Sequence, residues 1–325
     1  MAAVVCIAPP SGVRGEEADT PEARLPEGRT GIAARYRGDE GIERDPAVIF
    51  VERFDEGAVE ELAKRWESVQ GVETMSLSDD VPEHSADPRS LLITHVGGQG
   101  NGGQLYRRLP PGHEQVYARF YVKFDQDCAA IHHFGTHLGG FNPPTPWPQG
   151  GAGMRPSGNQ RFTTGVEPNG ADWSWDFYTY WQGMHVHGDG RYWGTPFQAG
   201  TARPKVERDR WICVEMMVKM NDPRGESNGE QAFWIDGKLW RLDGQVVSHV
   251  GQGFPRGHWT GGWWAPDSKS DETFEGFRWS STKDLAVNYV WAYLYITKAP
   301  RGHVSKVWFD NIVVAREYIG PIEPK

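Results

Sequence analysis

The chain has 325 residues and a formal net charge of −9, from 43 acidic and 34 basic side chains. That balance, with no basic tract, excludes nucleic acid as a partner, and an acidic polymer would need a locally positive cleft. The length admits one large or two average domains and a substantial core that needs no disulfide to fold.

Fifteen tryptophans, 11 tyrosines and 14 phenylalanines stand among 40 glycines and 23 prolines. Short aromatic and β-branched runs between turn residues predict an all-β protein. So many indoles exceed the needs of one core, and a flat indole face suits the C–H face of a sugar ring. The N-terminal MAAVVCIAPPSG is too short for a membrane span and lacks a basic start. It reads as the tail end of an export signal, so a secreted or periplasmic protein is expected, with no membrane partner. Cys6, Cys128 and Cys213 match no zinc spacing, and an odd count makes no disulfide framework. Cys128 and Cys213 are read as either a pair or free thiols.

Residues 1–45, rich in Pro, Gly, Glu and Arg, are expected to be a tail or loose extension, with a single domain over 46–320. Order is expected to begin with a strand at Ala47–Phe54. Val59, Leu62, Ala63 and Trp66 then fall at helical spacing, which predicts one helix over Gly57–Val69. Strands follow at Leu91–Val96, Gln104–Leu109, Gln115–Phe124, Ala130–Phe134, Arg161–Val166, Trp175–Trp181, Trp211–Asn221, Gln231–Ile235, Leu285–Thr297 and Val304–Ala315. A Pro/Gly loop is expected over Gly139–Gly158, and Asp236-Gly237 is a hairpin turn. With no βαβ rhythm, the expected fold is a two-sheet antiparallel β-sandwich of the jelly-roll kind.

Side chains alternate across a strand, so each long strand divides into two faces. Along Gln115–Phe124, Val116, Ala118, Phe120, Val122 and Phe124 oppose Tyr117, Arg119, Tyr121 and Lys123. Along Leu285–Thr297, Val290, Ala292, Leu294 and Ile296 oppose Tyr289, Trp291, Tyr293 and Tyr295. Along Trp211–Asn221, the Ile212 row opposes Cys213, Glu215, Met217 and Lys219. The second faces, aromatic and polar together, are expected to form one ligand platform, with Trp181 contributing. The block His132-His133-Phe134-Gly135-Thr136-His137, then Arg155, then Tyr178 and Tyr180 on one face, holds the candidates for chemistry. His132 and His133 would point to opposite faces of a strand.

The order of these features resembles the jelly-roll polysaccharide lyases of family fourteen, which include alginate and glucuronan lyases. The matches are Tyr117/Arg119, the run to Gly139-Gly140, Arg155, Tyr178/Tyr180, Trp211 to Asn221, Trp234-Ile235-Asp236-Gly237 and Phe309-Asp310-Asn311. The resemblance spans residues 47 to 318 and implies a concanavalin-like sandwich that cleaves a uronic-acid glycan by β-elimination. Two positions depart from it: His133 stands where the family has its catalytic Lys, and Gly153 where it has a Ser. The resemblance implies Tyr180 as base or acid, Tyr178 as its support, and His133 or His137 as carboxylate neutraliser or alternative base, with Arg155 nearby. Arg119, Tyr117, Tyr121, Lys219, Trp291, Tyr293 and Trp181 would contact substrate. No cofactor is required; a structural calcium held by Glu52 or Asp55 with Asp310 is an option. His185-x-His187 has a spacing that suits zinc but lacks a third ligand. The alternatives are a non-catalytic carbohydrate-binding protein and a glycoside hydrolase of unrecognised type, although the chain lacks the Glu-x-Asp-x-x-Glu strand of some such hydrolases.

Overall fold

The computed structural model describes residues 24–55, 57–147 and 151–325. Cys6 and the N-terminal apolar stretch lie outside the described residues. Among these residues two large antiparallel sheets face each other. The nine-stranded sheet includes Val48–Glu52, Ser90–Val96, Gln115–Phe124, Ile212–Lys219, Glu230–Ile235 and Val304–Ala315. The six-stranded sheet runs in the order Ser68–Gln70, Gln104–His113, Val287–Tyr295, His133–Phe141, Arg161–Pro168, Trp175–Tyr180. The fold is the expected β-sandwich, and no described helix is long and apolar enough to cross a membrane.

The inward rows predicted from alternation meet between the sheets. Val116, Ala118, Phe120, Val122 and Phe124 are buried there, as are Val290, Ala292 and Leu294. Phe134 links the layers, its ring 5.0 Å from Phe124 and 5.3 Å from Phe309. Each such side chain withdrawn from water contributes roughly 1.5–3 kcal/mol. Cys128 and Cys213 are free and buried.

Three expectations need correction. The segment 57–69 is not an α-helix: only Val59–Lys64 turns, as a 3-10 helix. The chain must extend again at Ser68–Gln70 to pair with Gln104–Tyr106, and a short tight turn is what fits in the remaining length. Leu62 and Trp66 still bury, and the Trp66 indole donates to Glu52 at 2.7 Å. Second, the strand expected at 130–134 begins at His133 and continues through Gly139-Gly140 to Phe141, where a loop was expected. A Cβ at Gly139 would stand 2.3 Å from the Tyr289 hydroxyl, and one at Gly140 would stand 2.1 Å from the Ala286 carbonyl. These glycines admit close neighbours within a strand instead of opening a turn.

Third, the described part of the expected tail is packed. Ile32, Ala33 and Ile42 are buried with Tyr117, Met217, Trp234, Tyr318 and Ile319 in a second apolar layer outside the nine-stranded sheet. Residues 24–45 and the C-terminal segment together cover that sheet's outer face. The Asp236-Gly237 turn forms as expected, with φ of 50° and 75°, as a primed hairpin requires. The Phe309-Asp310-Asn311 run makes a bulge between Asp310 and Val313. Asn311 there has a φ of 45°, and its amide donates to Asp39 at 3.3 Å and Asp87 at 3.1 Å.

Candidate active site

Most of the candidate histidines and tyrosines gather on the outer side of the six-stranded sheet. Trp291 pairs with His137, and Gly165 with Tyr178, so four adjacent strands set one row across the face. Gly165 is what lets that row close up: a Cβ there would meet the His137 ring at 1.8 Å. The His137 ring therefore lies over the bare backbone of the neighbouring strand and reaches Glu167, its Nε2 3.0 Å from Oε1.

Glu167 is the centre of the cluster. Its Oε2 lies 3.3 Å from His133 Nδ1, and the Tyr293 hydroxyl donates to its Oε1 at 3.3 Å. The Phe134 amide adds a further donor at 3.3 Å. Burial opposes ionisation of this carboxyl, but His133 and then His137 outweigh it and hold it down at about 2. Burial likewise pulls the His133 imidazole down, yet the Glu167 charge and hydrogen bond raise it above its ordinary value.

Beside His133 stands Tyr178, its ring centroid 4.7 Å away. The Tyr178 and Tyr180 hydroxyls are 3.3 Å apart. Tyr178 is half-buried and Tyr180 almost wholly so. Burial first, then the neighbouring Tyr180 and Glu167, pushes the Tyr178 hydroxyl well above its ordinary value. Burial also raises Tyr180. The Arg161 guanidinium lies over the Tyr180 ring at 5.7 Å and donates to the Met154 carbonyl at 2.7 Å. Tyr295 stacks near His133 at 6.0 Å and 11°.

The structure thus brings together His133, His137, Tyr178, Tyr180, Tyr293 and Trp291 on one face. His132 joins the edge of this cluster, because it precedes the strand: its ring stacks on His133 at 4.4 Å instead of facing the opposite way. Arg155 is exposed on the adjoining loop, over the Tyr192 ring at 5.6 Å; the cation beside Tyr180 is Arg161.

The other sequence candidates are elsewhere. Arg119, Tyr117 and Tyr121 are on the outer face of the opposite sheet, each under 10% exposed. Arg119 forms a buried ion pair with Asp39, and the Tyr121 hydroxyl accepts from the Ile322 amide at 2.9 Å. Lys219 is on that same sheet, paired with Glu230 at 2.6 Å. Trp181 points inward, 5.2 Å from Phe277 and 5.6 Å from Phe197. None of these five reaches the Glu167 cluster.

Nor does Glu52 suit a calcium ion. The Glu52 oxygens are taken by Arg65 at 2.6 and 2.9 Å, by Trp66 and by the Phe54 amide. Asp310 has a buried oxygen without a hydrogen-bond partner, but burial drives this carboxyl toward its neutral form. Of the zinc candidates, His185 stacks on Trp259 at 3.9 Å and His187 Nε2 lies 3.2 Å from the Trp193 carbonyl. Among the described residues no group of three His, Cys, Asp or Glu is set to hold a metal.

Glu167 and Arg161 are the members of this cluster that sequence reasoning missed, whereas Tyr295 stood in the expected platform row. The signal was there: Glu167 and Arg161 alternate with the inward Phe162, Thr164 and Val166 and so share the face of Gly165.

No family model matches the chain, and no curated protein matches it. Solved structures do. The alginate lyase Aly36B, as a doubly substituted variant with an alginate tetrasaccharide, is 12% identical with a TM-score of 0.50. That match covers 85% of this chain and 99% of the other. The alginate lyase vAL-1 from a Chlorella virus is 14% identical with a TM-score of 0.51, covering 83% and 99%. At such identities the likeness is one of fold: the chain has the jelly-roll sandwich of these alginate lyases.

Proposed function

We propose that this chain, built on the alginate-lyase sandwich, is a polysaccharide lyase that cleaves a uronic-acid-containing glycan by β-elimination in the groove of the six-stranded sheet. The observation that carries this is the Glu167–His133–Tyr178 arrangement. Glu167 takes the Nδ1 proton of His133 in a hydrogen bond, which leaves Nε2 as the base. His133 is the most accessible member of that pair, with 23% of its side chain exposed against 8% for Glu167.

Elimination needs the uronate carboxylate neutralised, the C5 proton removed and the leaving oxygen protonated. His133 Nε2 takes the C5 proton, the electron pair forms the C4–C5 double bond, and the C4–O bond breaks. The Tyr178 hydroxyl protonates the departing oxygen, and Tyr180 then supports the resulting phenolate. A hydroxyl raised by burial stays protonated at rest, so it is unsuited to act as the resting base. The base therefore passes from Tyr180, the expected residue, to His133. Arg161 is the cation available for the carboxylate, and Arg155 and Arg191 add exposed positive charge at the rim, the local field that the net charge of −9 withholds. The reading implies a polysaccharide partner met outside the cell.

A hydrolase would need two available carboxylates. Glu167 and Asp176 are cross-strand partners, and burial pushes Asp176 up to about 6. Yet Asp176 is committed to the amides of Phe177, Phe197 and Gln198 and to Arg203, which disfavours that alternative. The deciding experiment follows ultraviolet absorbance while the protein is incubated with alginate and with glucuronan. A rise reports an unsaturated uronate. Reducing ends without absorbance would indicate hydrolysis, and binding without either would indicate a carbohydrate-binding protein.

A further inference from the structure

The aromatic surface does not stop at Tyr178. Gly194 packs on that ring so closely that a Cβ would stand 2.6 Å from it, and the chain before it carries Tyr192 and Trp193. The Tyr192 amide donates to the Gly153 carbonyl at 3.1 Å, joining this loop to the one bearing Arg155. Trp193 is fixed by its indole N–H, which donates to Asp189 at 2.8 Å, and the Arg191 guanidinium lies 5.9 Å from its ring. His187 extends the series: its ring is 6.0 Å from Trp263 at the tip of the hairpin Gly257–Pro266. That tip is seated on His187, since a Cβ at Gly262 would meet the imidazole at 2.1 Å.

Trp263 is 47% exposed, with Met154 at 60% and Val186 at 43%. Those are three of the five large exposed hydrophobics among the described residues, and the other two are the separate valines Val72 and Val304. A contiguous apolar surface held open to solvent marks a binding site. Here it interleaves flat rings with two exposed arginines, Arg155 beside Tyr192 and Arg191 beside Trp193.

We infer that the loop 184–194 and the hairpin 257–266 form a ledge that binds further sugar units of an anionic polysaccharide, beyond the unit being cleaved. Rings meet the C–H faces of successive sugars and the two arginines meet their carboxylates. This assignment rests on the lyase reading for its substrate class, while continuity with Tyr178 and the positive rim are its own support. It makes the enzyme prefer long chains, since remote units bound equally in the ground and transition states lower KM and leave kcat unchanged.

The test compares Trp263→Ala with the parent protein on polymeric alginate or glucuronan and on the matching trisaccharides. KM on polymer should rise about tenfold, with kcat kept and the trisaccharide kinetics unchanged. Trp263→Phe should restore most of the loss. An equal loss on trisaccharide, or none on polymer, overturns the ledge. Retardation of His133→Ala in native gels containing the same polymers reads binding without turnover. Loss of retardation on adding Trp263→Ala supports the ledge even if no polymer is cleaved. Unchanged retardation, or none in the parent, overturns it whether or not the elimination reading holds.

Discussion

The outer face of the nine-stranded sheet and the outer face of the six-stranded sheet look alike in sequence. Tyr117-x-Arg119-x-Tyr121 on one strand and Tyr289-x-Trp291-x-Tyr293 on another each interleave aromatic residues with a clean apolar row. In three dimensions they diverge. Residues 24–45 and 316–323 cover the first, sealing Arg119 against Asp39 and Tyr117 against Trp234 and Tyr318. On the second, loops cover Trp291 and Tyr106, the Trp147 ring lying 5.7 and 6.0 Å from them, while His133, Tyr178 and Tyr295 stay partly open. The same side-chain pattern serves a buried structural layer in one place and a partly open cluster of titratable side chains in the other. What differs is the covering chain.

The comparison breaks most sharply on cleavage. His133→Ala and Tyr178→Phe should each lower the rate of absorbance rise by about 10²–10⁴-fold, the usual contribution of general acid–base groups. Tyr121→Phe, on the covered face, should leave the rate unchanged. Equal losses from Tyr121→Phe and Tyr178→Phe would dissolve the distinction between the two faces.

Stability should show the reverse. Asp39→Ala strands the buried Arg119 charge, and loss of one partner of a buried pair costs about 3–5 kcal/mol. Thermal melts should register a large fall for Asp39→Ala, with cleavage per folded molecule retained well below the transition. A melt within a degree or two of the parent would mean that the sealed layer is not what holds this face.

Glu167→Gln sharpens the account of the groove through pH. The carboxyl, held down at about 2 against an ordinary 4.5, stabilises the fold above pH 4.5, and this contribution fades as pH falls toward 2. His133, raised above 6.5, adds stability fully present below pH 6.5 and lost as pH climbs through its folded value. The stability gap between parent and Glu167→Gln should therefore be widest between pH 4.5 and 6.5, measured by chemical denaturation. The base works only as neutral imidazole, so parent activity should rise with pH through a midpoint above 6.5. In Glu167→Gln that midpoint should drop, because burial without the carboxylate disfavours the imidazolium. A midpoint unmoved by the substitution removes His133 from the role of base.

The smallest of these effects belongs to Tyr180→Phe. Its hydroxyl touches the Tyr178 hydroxyl and is itself nearly buried, so the rate should fall about tenfold, as for one hydrogen bond lost. A loss matching that of Tyr178→Phe would return the acid role to Tyr180.

Much of the architecture was legible in the chain. Period-two alternation marked the inward rows of Gln115–Phe124 and Leu285–Thr297 to the residue, because a strand between two layers must keep one side apolar. The Asp236-Gly237 turn was legible too, since few residues accept its positive φ. That Tyr178 and Tyr180 share a face followed from alternation, and their nearness to His133 from the family resemblance. Alternation is silent, however, about what lies above a face, and that decided the fate of Arg119, Tyr117 and Tyr121. Their cover comes from residues 24–45, whose composition resembles a loose tail and whose burial depends on partners such as Trp234 and Tyr318, far along the chain. Glu167 was decided in the same way. Only packing put it between two histidines, in a space that Gly165 and Gly135 leave open, and the charges of those neighbours set its ionisation.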